Sequence, residues 1–171
     1  MPSFLKASII NFSFICDTII KVNKMDEGEN DLEKVRTPIE VRYQETDQMG
    51  VVYHANYLIW FEIGRTKLIE HLGFKYADME SDNVVAPVID ATMSFKKPIR
   101  YGEPAYVETW IEQYNGIRTV YAYDVLNEAG DVAVSGTTEH VIVNKDTFRP
   151  LSLRKAYPDW HEAYARQVKG E

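Results

Sequence analysis

The side chains best suited to chemistry lie between residues 42 and 65, where an acidic loop leads into a helix. The loop, residues 45–50, ends at a glycine, which can adopt backbone conformations that other residues resist. It carries Asp47, whose carboxylate can act as a nucleophile or as a general base. His54 stands at the predicted helix start, where it can hold a substrate or orient a water molecule.

The helix start also offers backbone hydrogen-bond donors. The first N–H groups of a helix have no internal acceptors, and the helix dipole favours negative charge there. A thioester carbonyl fits such a site, because its oxygen gains negative charge when the carbon is attacked. Each fixed N–H donor can stabilise that charge by roughly 3–4 kcal/mol. The segment therefore indicates attack on a carbonyl group, with Asp47 as the reacting carboxylate.

A strand and a helix must position this loop. Alternation of apolar and polar residues from Pro38 to Gln44 predicts a half-buried strand before it. Apolar residues three or four positions apart predict a helix from about Ala55 to Leu72. Gly64 inside that helix is unfavourable by about 1 kcal/mol relative to alanine, which predicts that another backbone packs closely against it.

The rest of the chain reads as a sheet followed by a second helix. Alternating segments at about residues 84–97, 105–114, 117–127 and 131–144, joined by turn sequences, predict an antiparallel meander. A short C-terminal helix is predicted from Ala156 onward. One long helix can cover only one face of such a sheet, so we expect an α+β architecture in which the sheet wraps the helix.

Composition and charge limit the classes of function. The 171 residues suit one domain, and a net charge of −7 opposes binding of nucleic acid through its phosphates. A few local lysines or arginines could still hold a phosphate-bearing small ligand. The single cysteine, Cys16, cannot form an intramolecular disulfide, which indicates a reducing compartment such as the cytoplasm.

The first residues differ from those that follow. Residues 8–20 are apolar, but the run is short and broken by Asp17, so it fits a membrane span poorly, and it also fits a signal peptide poorly. A charged stretch opens at Met25, which is the preferred interpretation of the true start of the protein. We therefore predict that residues 1–36 are an extension and that residues 37–171 form the domain.

The central segment resembles the 4-hydroxybenzoyl-CoA thioesterase family of hotdog-fold proteins, and most closely its YbgC-like acyl-CoA thioesterase branch. The matching residues are Arg42, Tyr43, Glu45, Thr46, Asp47, Gly50, Tyr53, His54, Ala55, Asn56, Tyr57, Phe61, Glu62 and Arg65. The match continues more weakly through Phe95, Pro98, Gly102, Thr147 and residues 149–150. This motif is long, and it singles out Asp47, which in an isolated loop could be explained by turn geometry alone.

The resemblance implies a five-stranded antiparallel sheet around one long helix, and hydrolysis of an acyl-CoA thioester without a cofactor or a metal. It makes Asp47 the catalytic carboxylate and places the backbone N–H of His54 at the oxyanion. The substrate-binding residues that it implies are Tyr43, Gly50, Val51, Tyr53, Asn56, Tyr57 and Glu62. Coenzyme A contacts are expected near Lys96, Lys97, Arg100 and Arg149, residues that could equally be solvated.

Glu62 has two interpretations. It lies two turns beyond His54, where related hotdog branches place a carboxylate, or it simply pairs with Arg65 one turn later. The family also implies edge-to-edge pairing into a dimer or a dimer of dimers, a homotetramer, with the Asp47 loop of one chain near the helix start of another.

The expected partners are acyl-CoA, with acyl carrier protein thioesters as a variant, and other copies of the chain. Nucleic acid binding and stable membrane insertion are not expected. Two other functions remain open at this point. One is a hydratase or dehydratase on the same fold, and the other is a binding module for acyl-CoA that has no catalytic activity.

Overall fold

The computed structural model describes residues 33–169. Its strands are β1 (Val35–Ile39), β2 (Val84–Val85), β3 (Val88–Phe95), β4 (Ala105–Tyr114), β5 (Arg118–Leu126), β6 (Val132–Val141) and β7 (Val143–Asn144). Its helices are α1 (Asn56–His71), α2 (Tyr76–Ser81), α3 (Leu153–Ala156) and α4 (Pro158–Lys169). The predicted α+β architecture, with a five-stranded antiparallel sheet and one long helix, is confirmed. No helix within the described range is both long and apolar enough to cross a membrane.

The strand order is β1-β4-β5-β6-β3, with every neighbouring pair antiparallel. The predicted meander is therefore limited to β4, β5 and β6, whereas β1 and β3 come from before the meander and form its two edges. β2 and β7 make a separate two-stranded ladder. Each was predicted as part of a longer strand. The break before β3 falls at Ala86 and Pro87, and proline has no N–H group to donate to a ladder.

The first strand lies earlier than its alternation predicted. It spans Val35–Ile39, and Tyr43–Glu45 forms a 3-10 turn instead of continuing the strand. The turn is held by Glu45, whose carboxylate accepts hydrogen bonds from the backbone and the side chain of Arg42. β1 thus begins two residues before the predicted domain start at residue 37. The predicted start at Met25, and most of the predicted extension, lie outside the described residues.

Helix α1 packs against β1, β4 and β5. Its buried side chains include Trp60, Phe61 and Leu68, while Leu58 is exposed. The approach to the sheet is very close at Gly64, where an added Cβ would meet Thr109 Oγ1 and lie 2.8 Å from Val107 Cγ1. The predicted close contact at Gly64 is therefore present, but it is made by side chains of β4 and not by its backbone.

The edge strand β3 is unlike the rest of the sheet. Its side chains point to both faces, yet seven of its eight residues are exposed. The remaining residue, Met93, is half-buried. Val88, Ile89 and Phe95 leave 53%, 45% and 54% of their surfaces accessible. An exposed apolar edge strand offers both backbone hydrogen-bonding groups and side chains to another chain. Two cavities lie along this strand.

Candidate active site

The loop that carries Asp47 is a tight, hydrogen-bonded turn. Thr46 and Val52 pair as a β-bridge, and the backbone N–H of Asp47 donates to Val51 O at 2.9 Å. Gly50 closes the turn by donating to Asp47 O at 2.9 Å, with a φ of 72° that favours glycine. The Asp47 carboxylate accepts the Met49 N–H through Oδ1 at 2.8 Å. No described residue donates to Oδ2, so that oxygen can meet a substrate or a water molecule.

A buried carboxylate, Glu45, ties this loop to the helix. Its side chain is 4% exposed and accepts hydrogen bonds from Arg42 Nη2 at 2.7 Å and Trp60 Nε1 at 3.3 Å. Its carbonyl accepts the Tyr53 N–H at 2.8 Å and Asn56 Nδ2 at 2.7 Å. Burial acts to raise the pKa of Glu45, but the hydrogen bonds from Arg42 and Trp60 hold that pKa below its ordinary value. Glu45 therefore stays charged and fixes the loop against α1.

Asp47 and His54 line the same cavity of about 360 Å³. Val51 and Tyr57, both predicted substrate contacts, also line it. The opposite wall is formed by the end of β3 and the residues after it, namely Phe95, Lys96, Lys97 and Pro98. The resemblance implied that pairing brings the Asp47 loop of one chain near the helix start of another, and within a single chain Asp47 and His54 already line one cavity.

The helix start adjoins this cavity through His54, which lines it. Among the described residues, no acceptor lies within hydrogen-bonding distance of the backbone N–H of His54 or Ala55. The His54 ring is exposed and lies 4.2 Å from the Tyr53 ring and 6.5 Å from the Phe95 ring, between centroids. Burial raises the pKa of Tyr57 to about 12, so its hydroxyl remains a neutral donor at physiological pH. The cavity thus combines a carboxylate with uncharged donors.

Several predicted contacts lie elsewhere. Tyr43 is 77% exposed and packs edge-on against Tyr101, with ring centroids 5.5 Å apart, outside the cavity wall. Tyr53 is also absent from the wall, and it contacts the site through the His54 ring. Gly50 shapes the turn, and Asn56 anchors the loop through Glu45. Gly50 and Asn56 thus hold the loop in place, and none of these four residues lines the cavity.

The predicted coenzyme A contacts divide into two places. Lys96 and Lys97 lie at the cavity, and Lys97 Nζ also pairs with Asp131 at 2.7 Å. Lys96 makes no ion pair with a described residue. Arg100 starts the turn to Glu103, where its N–H meets the Glu103 carboxylate at 2.9 Å. Arg149 lies in a different turn, where its carbonyl accepts the Asn144 N–H.

Glu62 lines a second cavity, of about 250 Å³, farther along α1 and β3. Glu62 and Arg65 form no ion pair in the described structure, so the simpler interpretation of Glu62 does not apply. Arg65 Nη1 instead lies 2.8 Å from Nδ1 and 3.0 Å from Nε2 of His140. Burial, and then the charge of Arg65, lower the pKa of His140 to about 4, so this imidazole is neutral at physiological pH.

Two of these features were missed by reasoning from the sequence. Glu45 was noted only as part of the motif, and His140 had no pattern that set it apart. A carboxylate three residues after an arginine was the available signal for the first, since the pair forms a capping interaction at this spacing. His140 depends on a contact with Arg65, which lies 75 residues earlier.

The sheet wrapped around α1, with a carboxylate loop at the helix start, is the hotdog fold of thioesterases. A model of the thioesterase-like superfamily matches residues 41–164, and the chain belongs to that family. The chain is 57% identical over 131 residues to YneP of Bacillus subtilis strain 168, named for a proposed acyl-CoA thioesterase activity. That match covers 77% of this chain and 95% of YneP.

Two further relatives extend the comparison. The acyl-CoA thioester hydrolase YbgC of Escherichia coli O157:H7 is 27% identical over 121 residues, covering 71% of this chain and 90% of YbgC. Among solved structures, the DHNA-CoA thioesterase of Staphylococcus aureus superposes with a TM-score of 0.76 at 48% identity. The superposition covers 78% of this chain and 89% of that one.

Proposed function

We propose that the protein is a cytoplasmic acyl-CoA thioesterase, which converts an acyl-CoA and water into a carboxylic acid and free coenzyme A. The observation that carries this proposal is the shared cavity of Asp47 and the open N–H groups at the start of α1. A carboxylate and unpaired backbone donors of a helix start lie at one cavity there, and attack on a thioester carbonyl requires both. The names of the relatives at 57% and 48% identity support the same reaction.

The carbonyl oxygen of the substrate would lie at the start of α1, within reach of the His54 N–H. Asp47 either takes a proton from the attacking water or attacks the carbonyl carbon itself to form an anhydride that water then hydrolyses. In both routes the oxyanion is stabilised by the helix-start donors. The C–S bond then breaks, and the coenzyme A thiolate leaves. Glu45 fixes the loop against α1, and this keeps the Asp47 carboxylate at a constant distance from the helix start.

The carrier is proposed to lie across Lys96 and Lys97. Both side chains stand at the cavity, and their ammonium groups suit the phosphates of coenzyme A or of the phosphopantetheine on an acyl carrier protein. Arg149 lies in another turn, so it is no longer a preferred contact for the same carrier. Whether Asp47 acts as a base or as a nucleophile, the reaction requires no bound metal or cofactor.

A panel of acyl-CoA and acyl carrier protein thioesters, read by release of free thiol, tests the function. We expect turnover of at least one acyl-CoA series, with kcat/KM varying with the acyl group, because the apolar wall includes Val51, Tyr57 and Phe95. Hydration of an enoyl thioester without thiol release would favour a hydratase. Binding of acyl-CoA without any turnover would favour a binding module, and either result would contradict the proposal.

We further propose that chains pair through β3 into a dimer, or a dimer of dimers. The strand is an edge, and its apolar residues are exposed on both faces, so pairing would satisfy its backbone groups and bury Val88 and Ile89. Light scattering should find an oligomer for the wild type and smaller species for Ile89→Lys. Ile117→Lys, which places the same charge at an exposed apolar residue in the turn between β4 and β5, outside β3, is the matched control and should assemble normally. A fully active wild-type monomer would contradict the pairing.

A further inference from the structure

The second cavity lies along the same two elements as the Asp47 cavity. Phe61 and Arg65 of α1 line it, together with Val88 and Ala91 of β3. Arg65 is nine residues after the first residue of α1, a rise of roughly 13 Å along the helix. The two cavities have no lining residue in common, but they follow one another along α1 and β3. An acyl group whose thioester lies at the helix start would run along α1 to reach Arg65.

The neutral polar groups at that end of the cavity already satisfy one another. His140 Nδ1 is 2.9 Å from Ala86 O, and since a carbonyl only accepts, Nδ1 carries the proton. Nε2 is then an acceptor with one lone pair, and both the Thr138 hydroxyl, at 2.9 Å, and Arg65 Nη1, at 3.0 Å, lie within reach of it. Thr138 Oγ1 in turn accepts the Tyr123 hydroxyl at 2.8 Å. His140 therefore has no donor left for a ligand, whichever of the two neighbours donates to its Nε2.

Arg65 is different, because most of its donors have no acceptor. A guanidinium has five N–H groups, and those of Arg65 that have a hydrogen-bonding contact in the described structure belong to Nη1, which lies against His140. No described carboxylate lies within ion-pair distance of it, although Glu62 lines the same cavity. The half-buried cation also stands 5.9 Å from the Tyr76 ring centroid. A ligand oxygen in the cavity would complete the hydrogen bonding of the remaining N–H groups.

We propose that this cavity takes the distal part of the acyl group and that Arg65 selects acyl groups that carry an oxygen acceptor there. The acceptor can be a hydroxyl, keto or carboxylate oxygen, and the surrounding Leu58, Phe61, Val88 and Ala91 hold the carbon skeleton. The inference rests on the proposed thioesterase function and names its substrate class. Arg65 is a specificity residue in this scheme, while Asp47 remains the reacting group.

Matched pairs of acyl-CoA substrates test the selection. Each pair has one carbon skeleton with and without a distal oxygen, such as octanoyl and ω-hydroxyoctanoyl, or naphthoyl and hydroxynaphthoyl. The wild type should favour the oxygenated member in kcat/KM. Arg65→Met should lower the ratio of oxygenated to plain substrate by about 10- to 100-fold, the range expected for a hydrogen bond to a charged group. The plain member should react nearly as before.

Two further variants separate selection from structural support. Lys67→Met removes a positive charge from the exposed side of the same helix, where it pairs with Glu70, and should leave the ratio unchanged. Arg65→Lys keeps the charge without the planar fork and should give an intermediate ratio. A merely structural Arg65 would lower both rates equally. An unchanged ratio in Arg65→Met, or a wild type that prefers the plain member, would overturn the inference.

A binding measurement keeps the inference distinct from the proposed function. Calorimetry with the Asp47→Asn chain and the same pairs should show tighter binding of the oxygenated member, and Arg65→Met should remove that preference. If no thioester is hydrolysed while this Arg65-dependent preference persists, the proposed function fails and the selection stands. If hydrolysis occurs and neither binding nor rate depends on Arg65, the function stands and the selection fails.

Discussion

Replacing Asp47 with asparagine is expected to preserve the fold and to lower thioester hydrolysis by about 10²- to 10⁴-fold. The amide has the same shape as the carboxylate, and its oxygen can still accept the Met49 N–H that now binds Oδ1. The turn closed by Gly50 and the bridge between Thr46 and Val52 should therefore survive. The amide is neither a nucleophile nor a useful base, so the loss is chemical.

The comparison variant is Glu62→Gln. Glu62 is the other carboxylate considered for the site, because it lies two helical turns beyond His54. It lines the second cavity and not the one that contains Asp47, so we expect this change to have a far smaller effect on kcat. Urea unfolding of both variants should match the wild type. Asp47→Asn with several tenths of the wild-type rate would transfer the catalytic role to Glu62, as would a collapse of activity in Glu62→Gln.

Local periodicity was enough to predict the helix and most strands of this fold, although β3 leaves both faces exposed and β5 buries both. It could not predict where the first strand ends, since that depends on the capture of Arg42 by the Glu45 carboxylate. It also does not distinguish Leu58, which lines a cavity beside β3, from the buried residues of the same helix. An apolar position in a helix looks the same whether it packs against a strand or faces a cavity.

The candidate site shows a similar division. Asp47 and His54 were predicted from a contiguous segment, and they line one cavity because a short loop joins them. Tyr43 belongs to the same segment but turns toward Tyr101, a residue that sequence spacing does not bring near it. The contact between Arg65 and His140 spans 75 residues and depends on the pairing of β6 with β3 and β5. Such contacts follow from strand order, which alternation alone leaves undetermined.

His140 is expected to make the stability of the protein depend on pH. It is 2% exposed, and its folded-state pKa of about 4 lies below the ordinary value of 6.5. Between these two values the unfolded chain binds the proton more readily than the folded chain. The stability that neutral His140 contributes is therefore present above about pH 6.5 and is lost as the pH falls toward 4.

Replacing His140 with glutamine should remove this pH dependence. From the two pKa values, the wild type should lose about 2 kcal/mol of unfolding free energy at His140 between pH 8 and pH 5, beyond what its carboxylates contribute. Urea unfolding at both pH values should show that His140→Gln lacks this part of the loss in unfolding free energy. Thr138→Val is the matched control, because it deletes the hydroxyl that lies 2.9 Å from Nε2 but keeps the buried imidazole, and so retains the dependence. Equal pH slopes for the wild type and His140→Gln would mean that the imidazole stays hydrated in the folded chain and that Arg65 does not act on its protonation.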